Sequence, residues 1–271
     1  MAPLDLYLFS TDVASARAAE AAGVASVIVD WEHHGKAGRQ RGYDTELNAG
    51  TAADVRALAD ALSIPVTVRV DSLRGQCGAD VERALDAGAE TLMLPMAESA
   101  ADVERFLTLV RGRARTLVQL ETASLVDRVA TIRDLPWDSA YVGLNDLMIS
   151  RRADWLWTPL LDGTLDRVFD ALAGRPVGFG GVTVMGGGHP IPFSLLLREM
   201  ERLSCRLSFL RRTFWREIEG RDVAAELDAV RAAWRAARLR SPEAVARDHA
   251  ALQALLGERT PARPEPALAR A

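Results

Sequence analysis

Short apolar runs alternate with longer amphipathic stretches along most of this chain of 271 residues. The runs are rich in Val, Ile, Leu and Phe, which is typical of strands buried on both faces. We predict eight strands, at residues 4–9, 26–30, 65–70, 91–94, 116–120, 140–144, 177–180 and 207–210. The stretches between them have helical periodicity, and the one that begins at Thr51 and Asp54 carries a capping-box pattern.

The number and spacing of these units favour one fold class. Eight strand–helix units in about 240 residues are the size of a single (β/α)8 barrel. An open doubly wound sheet would need a glycine-rich turn after the first strand, and residues 9–12 (FSTD) contain no glycine. The sequence therefore predicts an α/β protein, with a (β/α)8 TIM barrel at residues 1–240, a C-terminal helix at 241–257 and a loose tail at 258–271.

The composition excludes several classes of function. Apolar residues make up 49% of the chain and charged residues 26%, as in a globular protein with a sizeable core. The net charge of −4 gives no general attraction to nucleic acid, and no apolar run approaches the ~18 residues of a membrane span. The first residues do not resemble a secretory signal, and Cys77 and Cys205 form no metal-ligand pattern. We therefore expect a cytoplasmic protein with free thiols that binds neither nucleic acid nor membranes.

Two of the apolar runs lead into a carboxylate. Glu121 follows the run LVQL, and Asp146 follows YVGLN. If the two runs are neighbouring parallel strands, their ends lie roughly 5 Å apart and both carboxylates can reach one ion. Two oxygen ligands leave most of the coordination sphere of Mg²⁺ or Mn²⁺ open for water and substrate, which predicts a catalytic metal. The alternatives are helix capping or an arginine pair for Glu121, and turn formation for Asp146.

Lysine is nearly absent, which bears on the chemistry. Lys36 is the only lysine among the 33 Lys and Arg residues, and it lies in the loop GKAGR rather than at a strand end. Any Schiff-base mechanism would have to use it. The expected cofactor is therefore a divalent metal ion (Mg²⁺, Mn²⁺ or Co²⁺), with no pyridoxal phosphate and no Schiff-base lysine.

Other predicted strands also end in polar residues. The second run ends in DWEHH at 30–34, so that either His33 or His34 could point inward, and the third contains Arg69 near its end. In a barrel the active site lies at the C-terminal ends of the strands, so these side chains should face one cavity. The alternative for Arg69 is a salt bridge inside the barrel, and Asp30 and Glu32 are expected to support the site rather than bind the metal.

Five segments resemble, in order and at compatible spacing, the HpcH/HpaI aldolase and citrate lyase β-subunit family. They are DWEH (30–33), VTVR (66–69), TLMLPM (91–96), VQLET (118–122) and GLNDL (143–147), and the resemblance covers roughly residues 4–215. It implies a metal-dependent carbon–carbon lyase on a (β/α)8 barrel, in which Glu121 and Asp146 bind the ion. It further implies that Arg69 contacts the pyruvyl oxygen and that His33 is the acid/base. Asp86, in LDAG, matches an aspartate that partners this histidine, although the interval from Arg69 is longer by a few residues.

We accordingly expect an aldolase that cleaves or forms a hydroxy-2-oxo acid through a metal-stabilised pyruvate enolate. Its substrates would be a small anionic 2-oxo acid and an aldehyde, with the main chain around Leu144 and Asn145 holding the carboxylate. One alternative is a citrate-lyase-like enzyme that acts on a CoA or carrier-linked thioester, and a second is a non-catalytic barrel that binds a metabolite. The resemblance also implies a homo-oligomer.

Three segments differ from aldolases of small substrates. The polar loop 42–48 is expected to line the cavity mouth, and the glycine-rich segment 178–188 could bind phosphate or form a flexible lid. The segment RRTFWR at 211–216 is basic and aromatic, which suits an anionic substrate or an interface. These features suggest an acidic, sugar-derived or phosphorylated aldehyde.

Overall fold

The computed structural model of the protein describes residues 3–33, 50–211 and 214–258. Its eight strands are β1 (Asp5–Phe9), β2 (Ser26–Asp30), β3 (Val66–Arg69), β4 (Thr91–Leu94), β5 (Arg115–Leu120), β6 (Ser139–Val142), β7 (Val177–Phe179) and β8 (Leu207–Phe209). The helices are α1 (Val13–Ala21), α2 (Ala52–Ala61), α3 (Cys77–Asp86), α4 (Ala100–Val110), α5 (Ala123–Val126), α6 (Leu144–Arg151), α7 (Thr158–Leu161), α8 (Thr164–Ala171), α9 (Phe193–Arg202), α10 (Phe214–Glu217), α11 (Val223–Ala237) and α12 (Pro242–Glu258). A 3₁₀ helix spans Val129–Ile132.

The strands form one closed parallel barrel in chain order. Each strand pairs with the next, and β8 closes the barrel on β1 with Asp5 opposite Leu207. The predicted capping box is present at the N-terminus of α2: the Thr51 hydroxyl accepts from the Asp54 N–H, and the Asp54 carboxylate accepts from the Thr51 N–H. The predicted TIM barrel is therefore confirmed.

The core has an outer and an inner part. The larger part lies between the strands and the surrounding helices, where the outward side chains of the strands are buried. The inner part fills the barrel with Ile28, Met93, Leu117, Tyr141, Leu207 and Phe209. Within it the ring of Phe209 stacks on Tyr141 at 3.6 Å between centroids and meets Phe9 edge-on at 5.5 Å. Burial on both faces explains why the strands are continuous apolar runs in the sequence.

The structure corrects the prediction for the sixth strand. We expected a strand over residues 140–144, but β6 ends at Val142, Gly143 is the N-cap and α6 begins at Leu144. Asp146 therefore lies in the first turn of a helix rather than at the end of a strand. The run YVGL is apolar in either conformation, so its hydrophobicity could not mark the boundary. The stretch after β5, which has helical periodicity in the sequence, is likewise divided into α5 and the 3₁₀ helix.

The C-terminal helix α12 packs against α9. Nδ1 of His249 lies 3.0 Å from Oε1 of the buried Glu199, and Nη1 of Arg198 lies 3.1 Å from Oδ1 of Asp248. In the described part of the chain, no helix is long and apolar enough to cross a membrane.

The prediction of free thiols is confirmed. Cys77 and Cys205 are both unpaired and buried. Burial raises the pKa of each thiol to about 12, so both are protonated at neutral pH.

Candidate active site

An arginine and a carboxylate face each other at the ends of β2 and β3. Asp30 is the register partner of Arg69. Nε of Arg69 donates to Oδ1 of Asp30 at 2.9 Å and Nη2 donates to Oδ2 at 2.6 Å, a two-pronged pair of the kind that arginine forms best. Nη1 lies 3.3 Å from Oε2 of Glu32, and both carboxylates are buried, whereas 11% of the Arg69 side chain is exposed. The salt bridge that was the alternative for Arg69 is therefore present.

Neighbouring carboxylates keep Arg69 in its charged form. Burial by itself would lower the pKa of Arg69, but the carboxylates of Asp30 and Glu32 raise it overall. The guanidinium also lies 5.3 Å from the ring centre of Phe9, within range of a cation–π contact. Arg69 is thus a fixed cation at the mouth of the barrel.

Gln119 connects this arginine to the predicted metal ligand. Its Oε1 accepts from Nη1 of Arg69 at 3.4 Å, and its Nε2 donates to Oε2 of Glu121 at 3.1 Å. Sequence analysis did not identify Gln119 as part of the site. The signal was available, because Gln119 lies on β5 two positions before Glu121, which directly follows the strand, and alternate positions face the same side.

The structure places Glu121 within electrostatic range of Asp146. Both are buried, with 1% and 9% of their surfaces exposed. Burial raises the pKa of Glu121, and the charges of Asp146 and Glu32 raise it further. A cation would relieve this repulsion, so the donor set fits a divalent ion. Among the described residues no group of three or more His, Cys, Asp and Glu side chains could hold a metal. An ion held by the two carboxylates alone would keep its other positions for water and substrate.

Met96 holds Glu121 in place through its main chain. Its N–H donates to Oε1 of Glu121 at 2.9 Å. Met96 has a φ of 56°, in the left-handed region that a side chain of this size rarely adopts. Such backbone strain is often found at functional sites, where the surrounding structure maintains it.

A glycine separates Glu121 from the start of α6. A Cβ atom built on Gly143 would lie 2.6 Å from Oε2 of Glu121, so only glycine leaves room for the carboxylate. The next residues, Leu144 and Asn145, are in the first helical turn, whose N–H groups have no acceptor within the helix. These N–H groups and the helix dipole form a suitable site for a carboxylate beside Asp146.

The substitution Gly143→Ala tests this close approach. Alanine can adopt the φ of −82° and ψ of 91° found at Gly143, so the effect should be steric. We expect the displaced Glu121 carboxylate to weaken binding of Mg²⁺ at least about tenfold, as loss of a supporting contact does at metal sites, measured by isothermal calorimetry. Gly186→Ala is the control, because nothing lies within 4 Å of its added Cβ atom. Equal affinities for Mg²⁺ in the two variants would contradict the role assigned to Gly143.

His33 lies near two carboxylates, Asp71 at the end of the third predicted strand and Asp80, which sequence analysis did not identify. Its main-chain N–H donates to Oδ1 of Asp71 at 3.4 Å, and the Asp71 N–H donates to Oδ2 of Asp80 at 3.1 Å. Burial raises the pKa of Asp80, and His33 acts in the opposite direction. Asp86 is exposed at the end of α3, and no hydrogen bond or ion pair joins it to His33 within the described residues. The roles of His33 and Asp86 stay predictions.

Several expected features lie outside the described residues. They are His34, Lys36, the polar loop 42–48, residues 212–213 and the part of the predicted tail from residue 259 onward.

Comparison with known proteins agrees with the resemblance noted in the sequence. The model of the HpcH/HpaI aldolase/citrate lyase family matches residues 4–157. The structure of protein CitE from Mycobacterium tuberculosis, in complex with magnesium and pyruvate, has a TM-score of 0.59 at 20% identity, over 93% of this chain and 98% of that one. An HpcH/HpaI aldolase from Desulfitobacterium hafniense DCB-2 has a TM-score of 0.59 at 16% identity, over 89% and 95% of the two chains.

A family protein from Burkholderia cenocepacia J2315 has a TM-score of 0.58 at 22% identity, over 88% of this chain and 95% of that one. No curated protein matches the chain. At these identities the solved structures show a common fold. The family itself is shown by the sequence match, which covers more than half of the chain.

Proposed function

Because the chain belongs to the HpcH/HpaI aldolase/citrate lyase family, we propose that it is a divalent-metal-dependent aldolase that cleaves or forms a 4-hydroxy-2-oxo acid. The observation that carries this proposal is the buried pair Glu121 and Asp146, which repel each other and adjoin the first turn of α6. The fixed cation Arg69 is linked to this pair through Gln119. This combination suits a 2-oxo acid, whose carboxylate and keto oxygen are adjacent.

The proposed reaction balances without an oxidant or reductant. In the cleavage direction the C4 hydroxyl loses its proton and the C3–C4 bond breaks. The electron pair of that bond passes to the pyruvyl half, C3 takes up a proton, and the products are pyruvate and an aldehyde. Formation of the hydroxy acid is the reverse sequence.

Each residue has a defined part in this proposal. The N–H groups of Leu144 and Asn145 hold the substrate carboxylate, and Arg69 stabilises negative charge on the keto oxygen. His33 takes or returns the proton of the C4 hydroxyl. Glu121 and Asp146 would hold Mg²⁺, Mn²⁺ or Co²⁺, and the ion would supply a Lewis acid for the keto oxygen. Asp30 keeps the guanidinium of Arg69 in position.

Exchange of the methyl protons of pyruvate in D₂O tests the proposal without any knowledge of the aldehyde. We expect exchange, followed by proton NMR, to depend on Mg²⁺, Mn²⁺ or Co²⁺ and to stop with EDTA. A panel of aldehydes, oxaloacetate and acyl-CoA lyase substrates would then identify the reaction partner. Turnover of thioesters alone would favour the citrate-lyase-like alternative. Pyruvate binding with neither exchange nor turnover would favour a non-catalytic barrel.

The oligomeric state is a separate part of the proposal. We expect a homo-oligomer, and light scattering of the purified protein tests it directly. A monomer would limit the site to the residues of one chain.

A further inference from the structure

A second arginine lies at the same end of the barrel as Arg69. Arg211 follows β8, two positions after Phe209, so it continues the strand on the side of the barrel interior. Its N–H donates to the Val182 carbonyl at 2.9 Å, which extends the pairing of β7 and β8 beyond the strands themselves. Its Nε donates to the Gly181 carbonyl at 3.2 Å. The stem of the side chain is therefore fixed beside the end of β7.

Gly181 makes this position possible. A Cβ atom on Gly181 would lie 2.8 Å from Cγ of Arg211, so any other residue would push the arginine away. The glycine-rich segment after β7 thus has a local function that does not require phosphate binding or a lid. It allows the Arg211 side chain to approach the main chain of the neighbouring strand.

An aromatic layer links Arg211 with the proposed pyruvate site. Phe9 lies under Arg69, and its ring meets Phe209, which stacks on Tyr141. Burial raises the pKa of the Tyr141 hydroxyl, while Arg211 lowers it and Glu121 raises it, so both charges act on this hydroxyl. The hydroxyl itself donates to the Gly180 carbonyl. Arg211 and Glu121 consequently border the same aromatic floor.

The two arginines differ in how their charge is balanced. The carboxylates around Arg69 raise its pKa above the ordinary value. The pKa of Arg211 is lowered instead, because burial lowers it and the charge of Glu217 does not offset this effect. An anionic ligand at Arg211 would supply the missing compensation.

We propose that Arg211 binds an anionic group, a carboxylate or a phosphate, at the distal end of the aldehyde substrate and thereby determines specificity. This proposal rests on the proposed function. The ends of β6 and β8 are two strand spacings apart, roughly 10 Å, so one substrate can reach both the first turn of α6 and Arg211. The planar guanidinium suits the two oxygens of either group.

Matched pairs of aldehydes test this role with pyruvate and Mg²⁺. The pairs are 4-oxobutanoate with 4-oxobutanamide, and glyceraldehyde 3-phosphate with glyceraldehyde. We expect the wild type to prefer the charged member of one pair, and Arg211→Gln to lower the charged-to-neutral ratio of kcat/KM by about tenfold to a hundredfold. The pair that responds identifies carboxylate or phosphate. Arg211→Lys should retain part of the preference, and Arg235→Gln, at an exposed position of α11, should leave the ratio unchanged.

The charged-to-neutral ratio of kcat/KM is informative because a folding defect lowers kcat/KM for both aldehydes of a pair by the same factor. An unchanged ratio in Arg211→Gln, or a wild type without preference in both pairs, would overturn the proposal and would indicate that Arg211 only pairs with Glu217. Pyruvate exchange, measured in parallel, reports on the proposed function separately.

Binding measurements keep the inference testable if the enzyme does not turn over. Calorimetry would compare 2-oxohexanedioate with 2-oxohexanoate, which differ only in the second carboxylate. We expect the wild type to bind the dianion more tightly, and Arg211→Gln to lower the ratio of the two affinities by at least about tenfold. Retention of the full preference in Arg211→Gln would exclude Arg211 as the site of a distal carboxylate.

Discussion

Glu121→Gln should lower the rate of metal-dependent pyruvate exchange by about a thousandfold or more. The amide keeps the size of the side chain and can still accept from the Met96 N–H, but it removes one of the two anionic ligands proposed for the metal. The charge stabilisation that a metal supplies to a developing oxyanion is several kcal/mol, which corresponds to this loss of rate. Proton NMR of pyruvate in D₂O measures the effect.

The same substitution should have the opposite effect on the stability of the metal-free protein. Glu121 is buried beside the charges of Asp146 and Glu32, so removing its charge should raise the free energy of unfolding by about 1–2 kcal/mol in EDTA at pH 8. Saturating Mg²⁺ should stabilise the wild type but not the variant. Urea unfolding measures both effects, with the exposed Glu104→Gln as the control. If Mg²⁺ stabilised Glu121→Gln as much as the wild type, Glu121 would not be a ligand.

Arg69→Gln should lower the free energy of unfolding by about 3–5 kcal/mol. The substitution leaves Asp30 and Glu32 as buried carboxylates without their principal cation, and an uncompensated buried charge has a cost of this size. Urea unfolding at neutral pH measures the loss. Arg113→Gln is a matched control, because Arg113 forms a two-pronged pair with Glu82 at 2.7 Å for both contacts but at the exposed surface. Its effect should be much smaller.

A second substitution separates the structural role of Arg69 from its proposed catalytic role. In Arg69→Gln with Asp30→Asn, one buried negative charge is removed together with its partner, so much of the stability should return. Pyruvate exchange should not return, since the cation proposed to stabilise the keto oxygen is still missing. Recovery of both stability and exchange would show that Arg69 acts only as a structural partner of Asp30.

The sequence was informative about elements that are buried on every side. Strands inside a (β/α)8 barrel contact side chains on both faces, so β2 and β4 are runs of apolar residues with clear limits. Their number and spacing predicted the barrel, and the barrel predicted that Arg69 and Glu121 lie at one end. Asp30 and Arg69 are register partners because neighbouring strands bring their final residues together.

Features that depend on the direction of side chains were harder to predict from the sequence. Asp146 was expected at a strand end but lies on α6, since the apolar run before it is compatible with either conformation. Gln119 joins Arg69 to Glu121 by contacts that no sequence pattern describes. The neighbourhood of His33 involves Asp71 and Asp80, which the chain brings together across a turn and the start of α3.

The sequence by itself thus determined the barrel and the strand ends that form its mouth, because periodic burial is a local property of each segment. Only the tertiary structure decided that Glu121 is buried against Gly143 and that Gln119 links it to Arg69. It also decided that Arg211 has less negative charge around it than Arg69 has. Distances between side chains and the balance of charge depend on residues far apart in the chain, and a linear pattern does not contain them.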